Sequence, residues 1–347
     1  MAEGYFLQIW TGKLPTEVLS EIVLDRVNSL RRPSTLIGGE VGEDSALIDL
    51  GHCILAVHSD PVTEARFHSG SIAVDVSSND LAVSGVRPRW FILDILMPGG
   101  SLYSSLSSIV ESASREAERL GIEIVGGHTE STPGLKSPII IGTSLGCTCR
   151  GCVYPTRNAR EGDIIYQINP AAIEGTAIIS TDFRDLALDR GVDEKVLERG
   201  SEFIKRISVV NEAISISELG LVDAMHDPTE GGIIGGLYEI AFASGHNVEV
   251  YLEKIFVEDE TIMLSKALGI DYTRLISSGT IIASVPPYNK RNFEDHLESL
   301  RLRYDAIGRV LNKNENPTLI ILKGGKHIGD ISSSPKDEIS RLWEERI

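Results

Sequence analysis

Basic residues are in short supply in this chain of 347 residues, which has 33 lysines and arginines against 50 aspartates and glutamates. The formal net charge of −17 at pH 7 repels nucleic-acid backbones and anionic membrane surfaces, so we exclude both as general partners. An anionic ligand would need a local site built from backbone N–H groups, a few bases or a bound cation.

Cysteine is also scarce, and the chain has only Cys53, Cys147, Cys149 and Cys152. Four cysteines are too few for a disulfide scaffold at this length. The CTCRGC segment that holds three of them lacks the second separated pair that thiolate metal sites usually have, although a long-range partner is left open. We therefore expect reduced thiols or a single disulfide.

Long apolar runs are absent, since none approaches the roughly 18–20 residues that span a bilayer. The first residues, MAEGYFLQIWTGK, lack the basic start and the small-residue cleavage site of a signal peptide. We expect a cytoplasmic protein with no membrane partner.

Common phosphate-binding and nucleophile motifs are missing as well. The sequence contains no GxxxxGK[ST], no GxGxxG that opens a helix after a strand, and no GxSxG. The loop from Gly38 to Asp44 is rich in glycine, but an ordinary turn explains that equally well.

The length indicates about two domains, and both halves of the chain show a similar order of strand pairs and long helices. This order favours two α+β domains over one continuous doubly wound sheet. We predict a helical arm over 1–36, domains over 37–158 and 159–325, and a helical tail over 326–347. Apolar spacing predicts the longer helices over 71–84, 102–120, 173–190 and 203–219.

Acidic residues recur where predicted strands and glycine turns end in the first half. Glu43 and Asp44 follow a glycine, Asp60 follows a predicted strand, and Asp80 lies in the next helix. Carboxylates that converge at one edge of a sheet make a site for a hard cation, and Mg²⁺ usually brings nucleotide phosphates with it. The alternative is that these acids cap turns and face water.

The segment from Asp227 to Gly232, DPTEGG, precedes an apolar-periodic helix. Asp227 suits an N-cap and Glu230 suits the N3 position of a capping box, which accounts for the first four residues. Capping does not explain the glycines, because each costs a helix interior about 1 kcal/mol. We expect a close backbone approach here, either by a ligand at the positive helix end or by a packed strand.

Eight segments, taken in order, resemble the PurM, or aminoimidazole ribonucleotide (AIR) synthetase, superfamily. They are GKLPTEVL, GEDSALIDL, HSDPV, SSNDLAVSGVRP, VGGHTES, EGDIIYQI, MHDPTEGGIIGGLYEIA and SSGTIIASVP. The resemblance covers about residues 12–325. The segments GKLP, DPTEGG and SSGTIIASVP look most like the HypE-like branch, whose members take part in hydrogenase maturation.

This resemblance implies two α+β domains of the AIR synthase type, of which the first binds ATP and forms a homodimer through its strands. The implied cofactors are ATP and Mg²⁺. The implied metal ligands are Glu43, Asp44, Asp60 and Asp80. The implied ATP contacts are Gly42, Glu43, Asp44, Asn79, Gly126, Gly127, His128, Thr129, Gly231 and Gly232. The candidate catalytic residues are Glu174, Asp227 and Thr229.

Two departures from the family pattern bear on the reaction. His128 stands where relatives have an acid, and the sequence printed here closes on SRLWEERI, without the terminal cysteine that HypE uses. One hypothesis is an enzyme that uses ATP to activate a carbonyl, amide or phosphate oxygen of a small molecule or partner protein. The other is a nucleotide-binding regulatory or scaffold protein with little or no turnover.

Overall fold

The first of two mixed sheets dominates the N-terminal half of the computed structural model, which describes residues 12–345. Its strands run in the order β1-β2-β3-β7-β4-β5, and β6 also pairs with β4. The strands are β1 Thr35–Ile37, β2 Ala46–Asp49, β3 Ile54–Val62, β4 Trp90–Pro98, β5 Glu123–Gly126, β6 Thr129–Thr132 and β7 Ile139–Thr148.

Two helices cover one face of this sheet, α3 (Ser69–Val83) and α4 (Tyr103–Leu120). Nearly every residue of α3 is buried, because the helix lies between the sheet, α4 and the second domain. Helix α4 is amphipathic, with Ile109, Ala113 and Ala117 facing the core, and it ends at Gly121 in the left-handed conformation.

The second sheet has the order β14-β13-β10-β12-β8-β11-β9. Its strands are β8 Ile164–Ile168, β9 Ala224–His226, β10 His246–Tyr251, β11 Ile281–Val285, β12 Tyr304–Lys313, β13 Leu319–Lys323 and β14 Lys326–Ile331. The helices of this half are α5 Ile173–Asp182, α6 Arg184–Asp189, α7 Glu194–Ser201, α8 Val210–Leu219, α9 Gly232–Ser244, α10 Asp259–Leu268, α11 Lys290–Ser299 and α12 Glu338–Glu344.

The prediction of two α+β domains is confirmed, and several element boundaries need correction. The helix predicted over 173–190 breaks at Phe183, and the one predicted over 203–219 is a 3-10 turn followed by α8. Residues 326–331, predicted to begin a helical tail, form β14 and pair with β13. In the predicted arm, α1 (Thr16–Leu19) and α2 (Asp25–Asn28) flank a π-helical turn, and residues 1–11 lie outside the described residues.

One hydrophobic cluster joins the two domains. A single cluster of buried side chains continues from α3 and α4 of the first domain to α5 and α8 of the second. This packing fixes the cleft between the domains. Among the described residues, no helix is both long enough and apolar enough to cross a membrane.

Candidate active site

A cavity of about 300 Å³ lies between the two domains. Its lining is dominated by carboxylates. The first domain and the loop that precedes β2 supply Glu40, Glu43, Asp44, Asp60, Glu64 and Asp80. The second domain supplies Glu174, Asp227, Glu230 and Glu239. Lys13, His58 and His226 also line the cavity, so acids greatly outnumber bases.

Strand β3 carries two of these groups, His58 and Asp60, on the same face because alternate residues of a strand point the same way. Ala56, His58 and Asp60 fall on the face of the sheet that packs against α3, where Asp80 lies. His58 Nε2 is 3.1 Å from Asp80 Oδ2. Burial and the negative charges of Asp44 and Asp60 raise the pKa of Asp80 well above its usual range.

A chain of charged groups crosses the domain interface at the floor of the cavity. His226 Nδ1 lies 2.8 Å from Asp44 Oδ1, and His226 Nε2 lies 3.0 Å from Glu239 Oε2. Lys13 forms an ion pair with the other oxygen of the Glu239 carboxylate. Burial alone would lower the pKa of His226, but Asp44 and Glu239 raise it well above 6.5, so this buried imidazole is held as a cation.

Glu239 shows the complementary effect. Burial disfavours its charge, yet Lys13 and His226 lower its pKa to about 2. Thr156 Oγ1 also donates a 2.9 Å hydrogen bond to Asp44 Oδ2. The network therefore fixes the orientation of Asp44 and uses both of its oxygens.

The side chain of Asp227 lies outside this network of paired groups. Its side chain is 1% exposed, and neither carboxylate oxygen has a hydrogen-bond partner among residues 12–345. Burial and the nearby charges of Asp80 and Asp44 raise its pKa well above the usual range. A buried carboxylate without partners is costly unless it is protonated or binds a cation, and the raised pKa favours the protonated form when no cation is bound.

Glu174, at the start of α5, has a similar environment. It is 3% exposed, and within the described chain its Oε2 atom has no hydrogen-bond partner. Burial, with the charges of Asp60 and Glu230 adding to it, raises the pKa of Glu174 to about 7. A carboxyl group that titrates near neutral pH suits general acid–base chemistry.

The donor set fits a magnesium–nucleotide complex better than a bare metal ion. No group of three or more histidine, cysteine, aspartate or glutamate side chains within residues 12–345 is arranged to hold a metal by itself. Mg²⁺ usually takes one or two carboxylates and completes its octahedron with phosphate oxygens and water. The unpartnered oxygens of Asp227, with Asp60 and Asp80 on the same cavity, match that requirement.

Eight of the predicted site residues meet in this cavity. They are Gly42, Glu43, Asp44, Asp60, Asp80, Glu174, Asp227 and Thr229. Glu43, however, is bound by Arg157, which also pairs with Glu40. Gly42 has φ of +80°, and a Cβ there would lie 2.7 Å from the carbonyl oxygen of Glu239, so this loop is pressed against α9.

Other predicted residues lie elsewhere in this chain. Asn79 joins the two domains, because its amide donates to Ile207 O at 2.9 Å and accepts from Val209 N at 2.8 Å. The turn that contains Gly126, Gly127, His128 and Thr129 lies at the β4–β5–β6 edge of the first sheet, outside the described lining of the cavity. The His128 side chain is 67% exposed and lies 3.2 Å from Glu130.

The predicted capping role of Asp227 is wrong. Helix α9 begins at Gly232, and Gly231 precedes it in the left-handed conformation. The Gly231 N–H donates to Asp337 Oδ2 at 2.8 Å, so the cap comes from the chain just before α12. At Gly232 a Cβ would lie 2.5 Å from Thr273 O, which accounts for this glycine by close packing of protein backbone.

Sequence reasoning did not assign a role to His58, His226 or Glu239. His226 stands beside a motif, but the sequence gives no sign that its partners are Asp44 and Glu239. Glu239 lies in the predicted helix that follows DPTEGG, and no sequence motif marks it as part of a site. Only the packing of α9 against the Gly42 loop brings these groups together.

The fold and the cavity define a class of two-domain α+β proteins with a carboxylate-rich site between the domains. The model of the AIR synthase related protein, N-terminal domain, matches residues 42–148, and that of the C-terminal domain matches residues 160–319. These matches cover more than half of the sequence, and the chain belongs to the AIR synthase related family. The resemblance to the PurM superfamily is thereby confirmed.

Relatives with assigned names agree with this placement. The chain is 28% identical over 304 residues to a putative hydrogenase expression/formation protein of Methanocaldococcus jannaschii, a match that covers 84% of each protein. It is 28% identical over 219 residues to the carbamoyl dehydratase HypE of Rhodobacter capsulatus, where it spans 62% of each. The crystal structure of the hydrogenase maturation protein HypE in complex with ATP shares the fold, with a TM-score of 0.65, 20% identity and coverage of 93% of this chain and 96% of that one.

Proposed function

We propose that this protein is an ATP- and Mg²⁺-dependent enzyme that activates an oxygen of a small molecule or partner protein by phosphoryl transfer in the cavity between its domains. The observation that carries the proposal is the buried carboxylate of Asp227, which has two unpartnered oxygens beside Asp80 and Asp44. The complex of a HypE with ATP supports a nucleotide as the ligand.

Phosphoryl transfer suits a site of this composition. Its transition state spreads negative charge over phosphate oxygens and needs positioning and neutralisation more than a protein nucleophile. Mg²⁺ held by Asp227 together with Asp80 or Asp60, and by phosphate oxygens of the nucleotide, would neutralise that charge in a cavity that otherwise repels phosphates.

The other charged groups of the cavity act on the acceptor or hold the site in place. Glu174 takes up the proton that the acceptor group releases when its oxygen is phosphorylated (for an amide, the N–H proton), because its carboxyl group titrates near neutral pH. The network of His226, Glu239 and Lys13 holds Asp44 in place and supplies positive charge in an acidic site. Relatives named for hydrogenase expression and maturation support a precursor of that process as the acceptor.

Substitution of Asp227 by asparagine tests the proposal. Asparagine keeps the shape but removes the negative charge that binds Mg²⁺. We expect the parent to bind ATP at least tenfold more tightly with Mg²⁺ than without it, and Asp227→Asn to lose that gain, as measured by titration calorimetry. Asp189→Asn, an exposed residue on α6, is the matched control and should bind like the parent.

The same titrations separate the two functional hypotheses. Mg²⁺-dependent binding, together with ATP hydrolysis that rises when an acceptor is added, supports the enzyme. Binding without any turnover would identify a nucleotide-binding regulator. Equal affinities for parent and Asp227→Asn in Mg²⁺ would remove the site from the proposal altogether.

A further inference from the structure

All four cysteines of the chain lie at one end of the first sheet, and none of them lines the cavity. Strands β3 and β7 pair in antiparallel register as far as Ile54 and Thr148, with Leu55 opposite Cys147. The same register, continued by one residue, sets Cys53 opposite Cys149. We call Cys53, Cys147, Cys149 and Cys152 the four-cysteine cluster.

The pairing of β3 with β7 supplies the long-range partner for the CTCRGC segment that the sequence left open. Cys53 is far from the CTCRGC segment in sequence, but the pairing of β3 with β7 makes it a neighbour of Cys147 and Cys149. Cys147 alternates with the buried residues of β7 that face α3, so its side chain lies on the opposite face, while Cys53 and Cys149 are the residues just outside β3 and β7 at this end of the sheet.

The cluster holds one disulfide and two thiols. Cys149 is bonded to Cys152, while Cys53 and Cys147 are free. Burial raises the pKa of Cys147, and a hydrogen bond with the Cys53 thiol adds to that effect, so the free pair is in contact. Cys147 and Cys149 are exposed, and Cys53 and Cys152 are half-buried.

We propose that the four-cysteine cluster is a thiol–disulfide exchange site, in which one disulfide moves between the Cys149–Cys152 pair and the Cys53–Cys147 pair. In the first step the Cys53 thiolate attacks Cys149 Sγ. A Cys53–Cys149 bond forms, the Cys149–Cys152 bond breaks, and Cys152 leaves as a thiolate that takes up a proton.

The second step completes the transfer without net oxidation. The Cys147 thiolate attacks Cys53 Sγ, the Cys53–Cys149 bond breaks, and Cys149 leaves as the second thiolate. The products are a Cys53–Cys147 disulfide and a Cys149/Cys152 dithiol. Before the exchange, an external dithiol reductant can instead attack exposed Cys149 and reduce the Cys149–Cys152 disulfide. The reductant is then oxidised to a cyclic disulfide.

A disulfide on the Cys53–Cys147 pair would tie β3 to β7 directly. Strand β3 carries His58 and Asp60 into the cavity, so the exchange site lies on an element of the candidate active site. The exchange itself does not depend on the proposed enzymatic function.

Disulfide mapping tests this proposal. The full chain is equilibrated with mixtures of reduced and oxidised dithiothreitol, alkylated, digested and analysed by mass spectrometry. We expect molecules with one disulfide to contain both the Cys149–Cys152 and the Cys53–Cys147 linkage. Exchange should also speed up as pH rises, because the thiolate attacks.

Two variants isolate the individual steps. Cys147→Ser removes the thiol that attacks in the second step and should retain part of the single disulfide as the Cys53–Cys149 linkage, whereas Cys149→Ser should form Cys53–Cys147 on oxidation. Circular dichroism checks that both variants fold. Finding only Cys149–Cys152 in the parent and in Cys147→Ser at every ratio, with free Cys53 and Cys147 thiols in Cys149→Ser, overturns the proposal. One equivalent of bound zinc that protects all four thiols from alkylation overturns it as well, in favour of a thiolate metal centre.

Discussion

At the scale of single residues, the site holds buried carboxylates that the fold does not neutralise. Asp227 and Glu174 are almost fully buried, and unpartnered oxygens of both lie in the cavity. Such groups destabilise a protein that has no ligand, and they persist where they bind something. The charge of Glu239, in contrast, is balanced by Lys13 and His226, so Glu239 supports the structure of the site. Asp227 and Glu174 keep oxygens that can bind a ligand.

Glu174 allows this destabilisation to be measured. Its pKa is raised from 4.5 in the unfolded chain to about 7 in the fold, so the folded state loses stability as pH rises from about 4.5 to 7. Above pH 7 the full loss is about 3 kcal/mol, an order-of-magnitude value from 1.36 kcal/mol per pKa unit. We expect Glu174→Gln to increase the free energy of unfolding by roughly this amount at pH 8 and to change it little at pH 4, as measured in urea.

The control for this experiment is Glu198→Gln on α7, since Glu198 is exposed. It should change the free energy of unfolding by less than about 0.5 kcal/mol at either pH. A lower free energy of unfolding for Glu174→Gln than for the parent at pH 8 would mean that the carboxylate makes a favourable contact in the fold. That result would contradict the interpretation that the charge of Glu174 destabilises the protein without its ligand.

At the scale of elements, the beginning of α9 shows how much a turn depends on its distant neighbours. Gly232 has φ of +65°, and a Cβ would lie 2.5 Å from Thr273 O and 2.8 Å from Leu275 N. Helix propensity alone predicts that Gly232→Ala gains up to about 1 kcal/mol. The structure reverses this sign, because the substitution adds left-handed strain of about 1–2 kcal/mol and a clash of about 1–3 kcal/mol.

Gly269→Ala separates strain from clash. Gly269 ends α10 with φ of +66°, and no described atom lies within 4 Å of its Cβ position. We expect this variant to lose only the strain energy, and Gly232→Ala to lose at least about 1 kcal/mol more, in parallel thermal or urea unfolding. Equal losses would show that the 3-10 turn at Tyr272–Arg274 moves aside easily.

The elements that could be predicted from sequence are those with local signals. Apolar spacing and Gly121 indicated α4, and the strand-end acids indicated Asp44, Asp60 and Asp80 as parts of one site. Contacts between distant segments left no such signal. The cap of Gly231 by Asp337, the pairing of Asp44 with His226 and the position of Cys53 beside Cys147 depend on how the elements pack, not on the residues next to them in the chain.

At the scale of the whole molecule, no helix within residues 12–345 covers the face of the first sheet opposite α3 and α4. On β4 and β7, residues that face α3 are buried, while alternate residues such as Ile92, Leu96, Ile141 and Leu145 are only half-buried on the opposite face. In the described chain, Leu145 lies between Trp90 on β4 and Val57 on β3. An apolar face of this kind usually packs against another protein, and we propose that it packs against a second copy of this chain.

Leu145→Glu tests the homodimer at its centre. A charge buried in the pairing face costs several kcal/mol in the dimer and almost nothing in a monomer, where the side chain reaches water. Light scattering at micromolar concentration should therefore give twice the chain mass for the parent and the chain mass of 37.8 kDa for Leu145→Glu. Leu188→Glu makes the same change on α6, where Leu188 is 39% exposed, and should remain a dimer. A monomeric parent would contradict the proposal, and a dimeric Leu145→Glu would place the interface on another surface.

The turn that contains His128 lies at the edge of this sheet, where a partner subunit could bring it to a nucleotide. The affinity of Leu145→Glu for ATP tests this role: weaker binding by the monomeric variant than by the parent would mean that the turn contributes to the site of the partner subunit.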